Sequence, residues 1–392
     1  MIKSIIFAAI LFVFTLQSYA QDSSLWTPPE KDSLLVILDH AYNLEFDSFE
    51  KKVDAYQKKY PDRPEALFVD VVALWIKVTT DLHNPKYNET FDEALDNISD
   101  KLDDFDDDHP LYEVAQFYVN ATAGFKAIMH VARKNWFSAA LEGRVAVRGI
   151  EDALEGKIPN PDAKFGTGLY LYYADLIPNR YPILKPLFIF YPDGDKKRGL
   201  TDLQETIDTG IFARVVAAYM NSVILFTREK KYAKAFKIMK ELSDTYPQNP
   251  IFLMWQISIA TRMRKHSLAL DLLDIYTERT QSSKPFYPEH KMRIVNFRYG
   301  VIYYQAAKYE KALTYLSEAQ KPLEQPMESY LERYKVYSIL QSGYCFKNLG
   351  RLEKAKSMFE LILTMKEYRR SHDVALDYLK RLEKLSNKKT GS

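Results

Sequence analysis

Three observations predict an all-α chain, an α-solenoid of helical hairpins. Apolar residues recur at three- and four-residue spacing along most of the 392 residues. Glycine is scarce, at 13, and no β-type alternation is sustained, a balance that favours helix over a turn-rich β fold. A pattern of small residues also returns at near-regular intervals in the C-terminal half, as stacked repeats require. With 47% hydrophobic residues, 28 Tyr and 22 Phe, the chain has ample material for a core.

The first residues read MIKSIIFAAILFVFTLQSYAQ. Lys3 is a short positive region, Ile5 to Leu16 an apolar run, and Ser18-Tyr19-Ala20 a small-x-small site, which together predict a secretory leader over 1–20. The run is too short to span a bilayer comfortably. No cysteine follows it to carry a lipid, and no later stretch reads as a transmembrane span. The expected location is therefore exported, in a bacterial periplasm or secreted. Without Lys3 the chain carries 53 basic and 52 acidic residues, which gives no reason to expect nucleic acid as a partner. Cys345 is the only cysteine, so no internal disulfide is available; among Ser342, Tyr344 and Phe346 it reads as a buried small hydrophobe.

Residues 21–158 read as divergent hairpins. Leu34, Leu35, Leu38, Ala41 and Tyr42 form one helical stripe, and Phe46, Phe49, Val53 and Tyr56 the next, which stops at Tyr60-Pro61 because proline cannot continue a helix. Helices are expected over 64–80 and 88–105. The acidic run from Asp96 to Asp108 invites a calcium site, but it lacks the alternating carboxylates, turn glycine and closing Glu of a binding loop. It reads instead as a solvated helix end, with Asp108 as the N-cap of a helix over 111–134. The partner helix, 136–154, shares small residues with it, among them Gly124 and Gly143, expected where the two approach closely.

Residues 159–200 contain the most aromatic and most punctuated stretch, FGTGLYLYYADLIPNRYPILKPLFIFYPDGDKKRGL, expected as a packed connector. Gly166-Thr167-Gly168 has neither the third glycine nor the strand of a dinucleotide site, and Asp195 is placed to cap a helix from Lys196. The aromatics between Tyr170 and Tyr191 could alternatively line a pocket for a glycan or small molecule.

Residues 201–386 carry the repeat, before a polar tail at 387–392. Ala235, Ala269, Ala312 and Ala355 are separated by 34, 43 and 43 residues. Each follows by three the predicted start of a second helix, at Tyr232, His266, Tyr309 and Leu352. Twelve residues upstream lie Val223, Ile257, Gly300 and Gly343; four downstream lie Met239, Leu273, Leu316 and Phe359. This set resembles the tetratricopeptide repeat, in which a small residue of helix A and an Ala of helix B mark the crossing, and a large residue fills the gap beside it. Gly343, Ala355 and Phe359 match that pattern, as do Ala235, Met239 and Pro247. The stretch with Gly166, Gly168, Pro178, Gly194, Asp195, Gly199 and Leu200 also resembles a segment of tetratricopeptide proteins of a mitochondrial outer-membrane-associated type. The first resemblance implies about six or seven hairpins and a noncatalytic protein-interaction scaffold.

No constellation for catalysis, cofactor or metal is expected. The seven histidines are scattered with no ligand spacing, and Glu328-Ser329 stands without the glycine-rich context of a lytic transglycosylase. In the repeat register, helix A residues line the inner face, which nominates Arg228, Arg262, Tyr304, Gln305, Tyr344 and Asn348 for a protein or peptide partner. Arginine, tyrosine and amide suit peptide recognition through forked hydrogen bonds and aromatic area.

Overall fold

The computed structural model describes residues 24–80, 87–133, 135–183, 185, 192–323 and 329–390. The leader 1–20, His83, Glu328 and residues 184 and 186–191 of the aromatic stretch lie outside them. Among the described residues there are seventeen α-helices and no strand. They are α1 (Lys31–Tyr42), α2 (Phe46–Lys59), α3 (Pro64–Thr80), α4 (Asn88–Leu102), α5 (Tyr112–Ala132), α6 (Trp136–Leu154), α7 (Ala163–Arg180), α8 (Lys196–Thr209) and α9 (Arg214–Thr227). There follow α10 (Tyr232–Thr245), α11 (Pro250–Arg262), α12 (His266–Gln281), α13 (Met292–Gln305), α14 (Tyr309–Gln320), α15 (Ser329–Asn348), α16 (Leu352–Leu363) and α17 (Ser371–Thr390). The chain is an all-α array of helical hairpins of the solenoid kind, with more helices than the sequence reading provides. Part of the excess is α7, formed within the stretch read as a connector.

The chain divides into two compact units. One comprises the residues up to Leu38 with Asp47–Val72 and Thr90–Ala217; the other comprises Asp39–Phe46, Ala73–Glu89 and Ala218–Ser392.

In the first unit the core is aromatic: Phe68, Tyr118 and Phe212 meet with ring centroids 4.8 to 5.7 Å apart. Helices α7 and α8 cross at two glycines. A Cβ on Gly199 would lie 2.7 Å from the Gly168 carbonyl oxygen and 2.8 Å from the Tyr172 nitrogen, and one on Gly168 would lie 3.0 Å from the Gly199 oxygen. Only glycine permits that approach. Asp195 caps α8 as expected, accepting from the Lys197 and Arg198 amides at 2.9 and 3.0 Å. Asp162 is buried and accepts from the amides of Ile211, Phe212 and Ala213 at 2.8 to 3.0 Å, which fixes the turn leading into α9.

Two expectations fail here. Gly124 and Gly143 face open space, with nothing within 4 Å of a Cβ at either; the tight place in the α5–α6 hairpin is Gly149 against Asn120, at 2.8 Å. The turn into α5 is organised by His109, whose Nδ1 accepts from the Leu111 amide at 3.0 Å, while Asp108 is exposed. The imidazole reaches the amide because Pro110 fixes the intervening backbone.

In the second unit successive helices from α10 to α17 pack on one another. The predicted second helices start at Tyr232, His266, Tyr309 and Leu352, as the sequence reading places them. The four alanines and the four large residues after them are all fully buried. A Cβ on Gly300 would meet Leu316 at 2.5 Å, and one on Gly343 would meet Phe359 at 2.8 Å, so glycine and bulky partner interlock as the steric argument requires. In α9 the register shifts by one: buried Ser222, rather than Val223, makes the crossing and donates to the Ala235 carbonyl at 2.8 Å. Each hairpin turn places one left-handed residue two positions before the second helix: Lys230, Arg264, Ala307 and Gly350, with φ between 56° and 71°. Leu44, at φ 62°, holds the same place before α2. After Arg264, Ala307 and Gly350, the next amide closes back on the carbonyl five residues earlier, at 2.9 to 3.0 Å.

Candidate interaction surface on the first helices of the repeats

The first helices of the repeats contact one another as well as their own partners: α11 meets α13, α13 meets α15, and α15 meets α17. They form one continuous row. Residues three and four apart on each helix share a face, so the exposed edge of the row is set by a few positions per helix.

Three of the six nominated residues come together. The Tyr304 and Tyr344 rings lie 6.3 Å apart across α13 and α15, and Asn348, one turn beyond Tyr344, donates to the Tyr304 hydroxyl at 3.3 Å. The row continues onto α17, where the Tyr378 ring lies 4.7 Å from Tyr344 and 5.1 Å from Phe359. The Lys347 ammonium sits 5.2 Å over the Tyr378 ring, a contact that orients a cation without neutralising it. Burial pushes both the Tyr304 and Tyr344 hydroxyls above the ordinary phenol range, so they remain protonated donors.

The other three lie apart. Gln305, at the end of α13, has its carbonyl oxygen 3.0 Å from His266 Nε2. Arg262, at the end of α11, is exposed and lies 5.5 Å over the Tyr232 ring. Arg228 is exposed just beyond α9. Tyr304, Tyr344 and Asn348 thus form a patch, while Gln305 and Arg262 lie at the ends of α13 and α11 and Arg228 just beyond α9.

Sequence reasoning missed a second set on α13 and α15. Phe297, Tyr334 and Tyr337 form a ring cluster with centroids 5.5 to 6.2 Å apart. On the same two helices, Arg298 Nε, Tyr337 Oη and Gln341 Nε2 are buried atoms with no hydrogen-bond partner in the protein. An unmet buried donor costs about 1–3 kcal/mol, so each is a place where an added acceptor gains. The i, i+4 spacing of Tyr337, Gln341 and Cys345 was the available signal. Cys345 offers no chemistry: its thiol is buried and burial pushes it up to about 12. Among the described residues no group of His, Cys, Asp and Glu gathers to hold a metal.

Of the central aromatics that are described, those on α7 pack inward while Tyr181, just beyond it, is exposed. Tyr172 is fully buried, and Tyr170 donates to the Pro192 carbonyl at 2.7 Å. This does not favour a pocket built from that stretch.

No family model matches the chain, and no curated protein matches it in sequence. Among solved structures, a crystal structure of the yeast Tom70 is similar at 11% identity with a TM-score of 0.29, over 89% of this chain and 87% of that one.

Proposed function

We propose that this protein is a noncatalytic interaction scaffold of the tetratricopeptide type, working outside the cytoplasm and holding a protein segment along the row of α11, α13, α15 and α17. The observation that carries this reading is that α13 and α15, which bring the Tyr304 and Tyr344 rings together, also hold three buried polar atoms without partners (Arg298 Nε, Tyr337 Oη and Gln341 Nε2). A polypeptide supplies the carbonyl and amide groups such atoms need and the side chains that aromatic area holds. The secretory leader read from residues 1–20 supports export.

A photo-crosslinking amino acid at Asn348, in whole cells of the native host, tests the surface. One or a few discrete crosslinked proteins are expected, and none from the same probe at Lys237 on α10. Equal yields from both positions, or none from Asn348, refute the placement. Export is tested separately by N-terminal sequencing of the purified chain: a start at Gln21 is expected, and a start at Met1 refutes it.

A further inference from the structure

The first unit contains a cleft that the interaction surface does not use. It has a volume of about 660 Å³ and lies between the end of α2, the first half of α3 and α4 with the turn after it. Its floor is apolar, built by Leu67, Val71 and Ile98. Into that floor α3 sets one carboxylate, Asp70, half-buried and held by Gln57, whose Nε2 donates to Asp70 Oδ2 at 2.7 Å and to the Ala66 carbonyl at 2.9 Å. The rim carries Asp62 and Asp104. Against these three carboxylates the lining provides one ammonium, Lys101, which is exposed.

From this geometry we propose that the cleft binds an organic cation, an ammonium or guanidinium on an aliphatic stem. Its charge meets Asp70 and its stem covers Leu67, Val71 and Ile98. The apolar floor buries the stem, as ligand clefts of this size do. A carboxylate pinned on one oxygen by an amide is oriented before the ligand arrives, which lowers the ordering cost of binding. The surroundings also carry more negative than positive charge. Burial raises the Asp70 carboxyl above its ordinary range, and Asp54 and Glu50 on α2 add to the shift, while Lys101 on α4 opposes it. The shared ligand chemistry has two sources, a free polyamine or the lysine or arginine side chain of a polypeptide. The site is independent of the surface on α11 to α17.

Calorimetric titration of the full chain tests it, with cadaverine for the free amine and N-acetyl-lysine methylamide for the side chain. Pentanediol and glutarate serve as neutral and anionic controls. Saturable binding of at least one cation and of neither control is expected; binding by cadaverine alone, or by the lysine derivative alone, identifies the source. Asp70→Asn should weaken binding by about ten- to hundredfold, the range a hydrogen bond to a charged group spans, and Asp70→Glu should recover part of it. Melting temperature checks that both variants are folded. Asp108→Asn removes an equal charge from the exposed run outside the cleft and should leave affinity within about twofold, since screening confines surface charges to short range. The proposal is overturned if neither cation binds, if pentanediol binds equally well, or if Asp108→Asn costs as much as Asp70→Asn.

Discussion

Replacing Gly199 by alanine adds one methyl group at the crossing of α7 and α8, and the structure fixes where it goes. The new Cβ would lie 2.7 Å from the Gly168 oxygen, 2.8 Å from the Tyr172 nitrogen and 3.2 Å from the Tyr172 Cα. That oxygen and nitrogen are four residues apart on α7, so the methyl presses on a rung of the helix's own ladder and no side chain can rotate away. Relief requires the helices to part by roughly 0.7 Å, which loosens the packing of Gly168 against Leu203. Overpacking of this kind costs about 1–3 kcal/mol. A rigid backbone obstacle belongs at the upper end, which corresponds to a melting-temperature loss of roughly 5 to 10 °C for a unit this size. Thermal unfolding followed by circular dichroism measures it. Gly124→Ala and Gly143→Ala provide the internal control: each lies inside a helix with nothing within 4 Å of its Cβ. Each should gain about 0.5–1 kcal/mol from helix propensity alone. If Gly199→Ala melts at or above the wild-type temperature, or Gly143→Ala costs as much as Gly199→Ala, the crossing is wrongly assigned.

Four further outcomes follow from named contacts. Ala307 and Gly350 hold the same left-handed turn position, at φ 57° and 71°, so Ala307→Gly should raise stability by up to ~1 kcal/mol and Gly350→Ala lower it by a similar amount; denaturant midpoints that move in the same direction would refute a shared turn. Asp162→Ala strands three buried amides, those of Ile211, Phe212 and Ala213, at a cost of about 3–5 kcal/mol, and urea unfolding within 1 kcal/mol of wild type, against roughly that expectation, would contradict it. Asp70 titrates higher in the fold than in the unfolded chain because burial disfavours its charge. Its stabilising contribution is therefore present below the ordinary Asp range, near 3.9, and lost as pH rises through the raised value. Asp70→Asn should melt above wild type at about pH 7 and converge with it near about pH 3; a variant that melts lower at neutral pH refutes the sign. Cys345, with its thiol pushed up to about 12, should react with a thiol reagent only after denaturation, and rapid labelling of the native protein would show that α15 does not bury it.

Part of this architecture was legible because its causes are local. A proline at the head of α3 and an alanine three residues into each second helix act within one turn, so those starts could be read from Pro64, Ala235, Ala269, Ala312 and Ala355. The interlocked pairs Gly300–Leu316 and Gly343–Phe359 were readable for the same reason: a fixed sixteen-residue offset returns the chain to the same crossing. The glycines of the first unit show where this fails. Gly124, Gly143, Gly168 and Gly199 are equivalent as letters, yet two face open space and two carry a helix crossing, because which side of a helix meets its neighbour depends on packing several helices away. The hairpin turns were hidden differently. Glycine advertises a left-handed turn at Gly156 and Gly350, while Leu44, Lys230, Arg264 and Ala307 adopt it against their own preference.

The candidate surface divides along the same line. Tyr304, Tyr344 and Asn348 followed from the repeat register, and they meet. Tyr378 could not be added to them from sequence, because its contact with Tyr344 depends on how α17 is staggered against α15. Arg298, Tyr337 and Gln341 could be placed on helices but not known to lack partners, since an unmet donor is a property of everything around it. Four turns hold a strained backbone in non-glycine residues, Leu44, Lys230, Arg264 and Ala307, and two facing helices keep three buried polar atoms unmet. The strain recurs at the turns before α2, α10, α12 and α14 and so belongs to the fold. The unmet atoms of Arg298, Tyr337 and Gln341 lie on α13 and α15, the helices that also bring Tyr304, Tyr344 and Asn348 together; Glu65 Oε2 and Asn88 Oδ1 are unmet elsewhere, so it is the shared helices that tie the first set to binding.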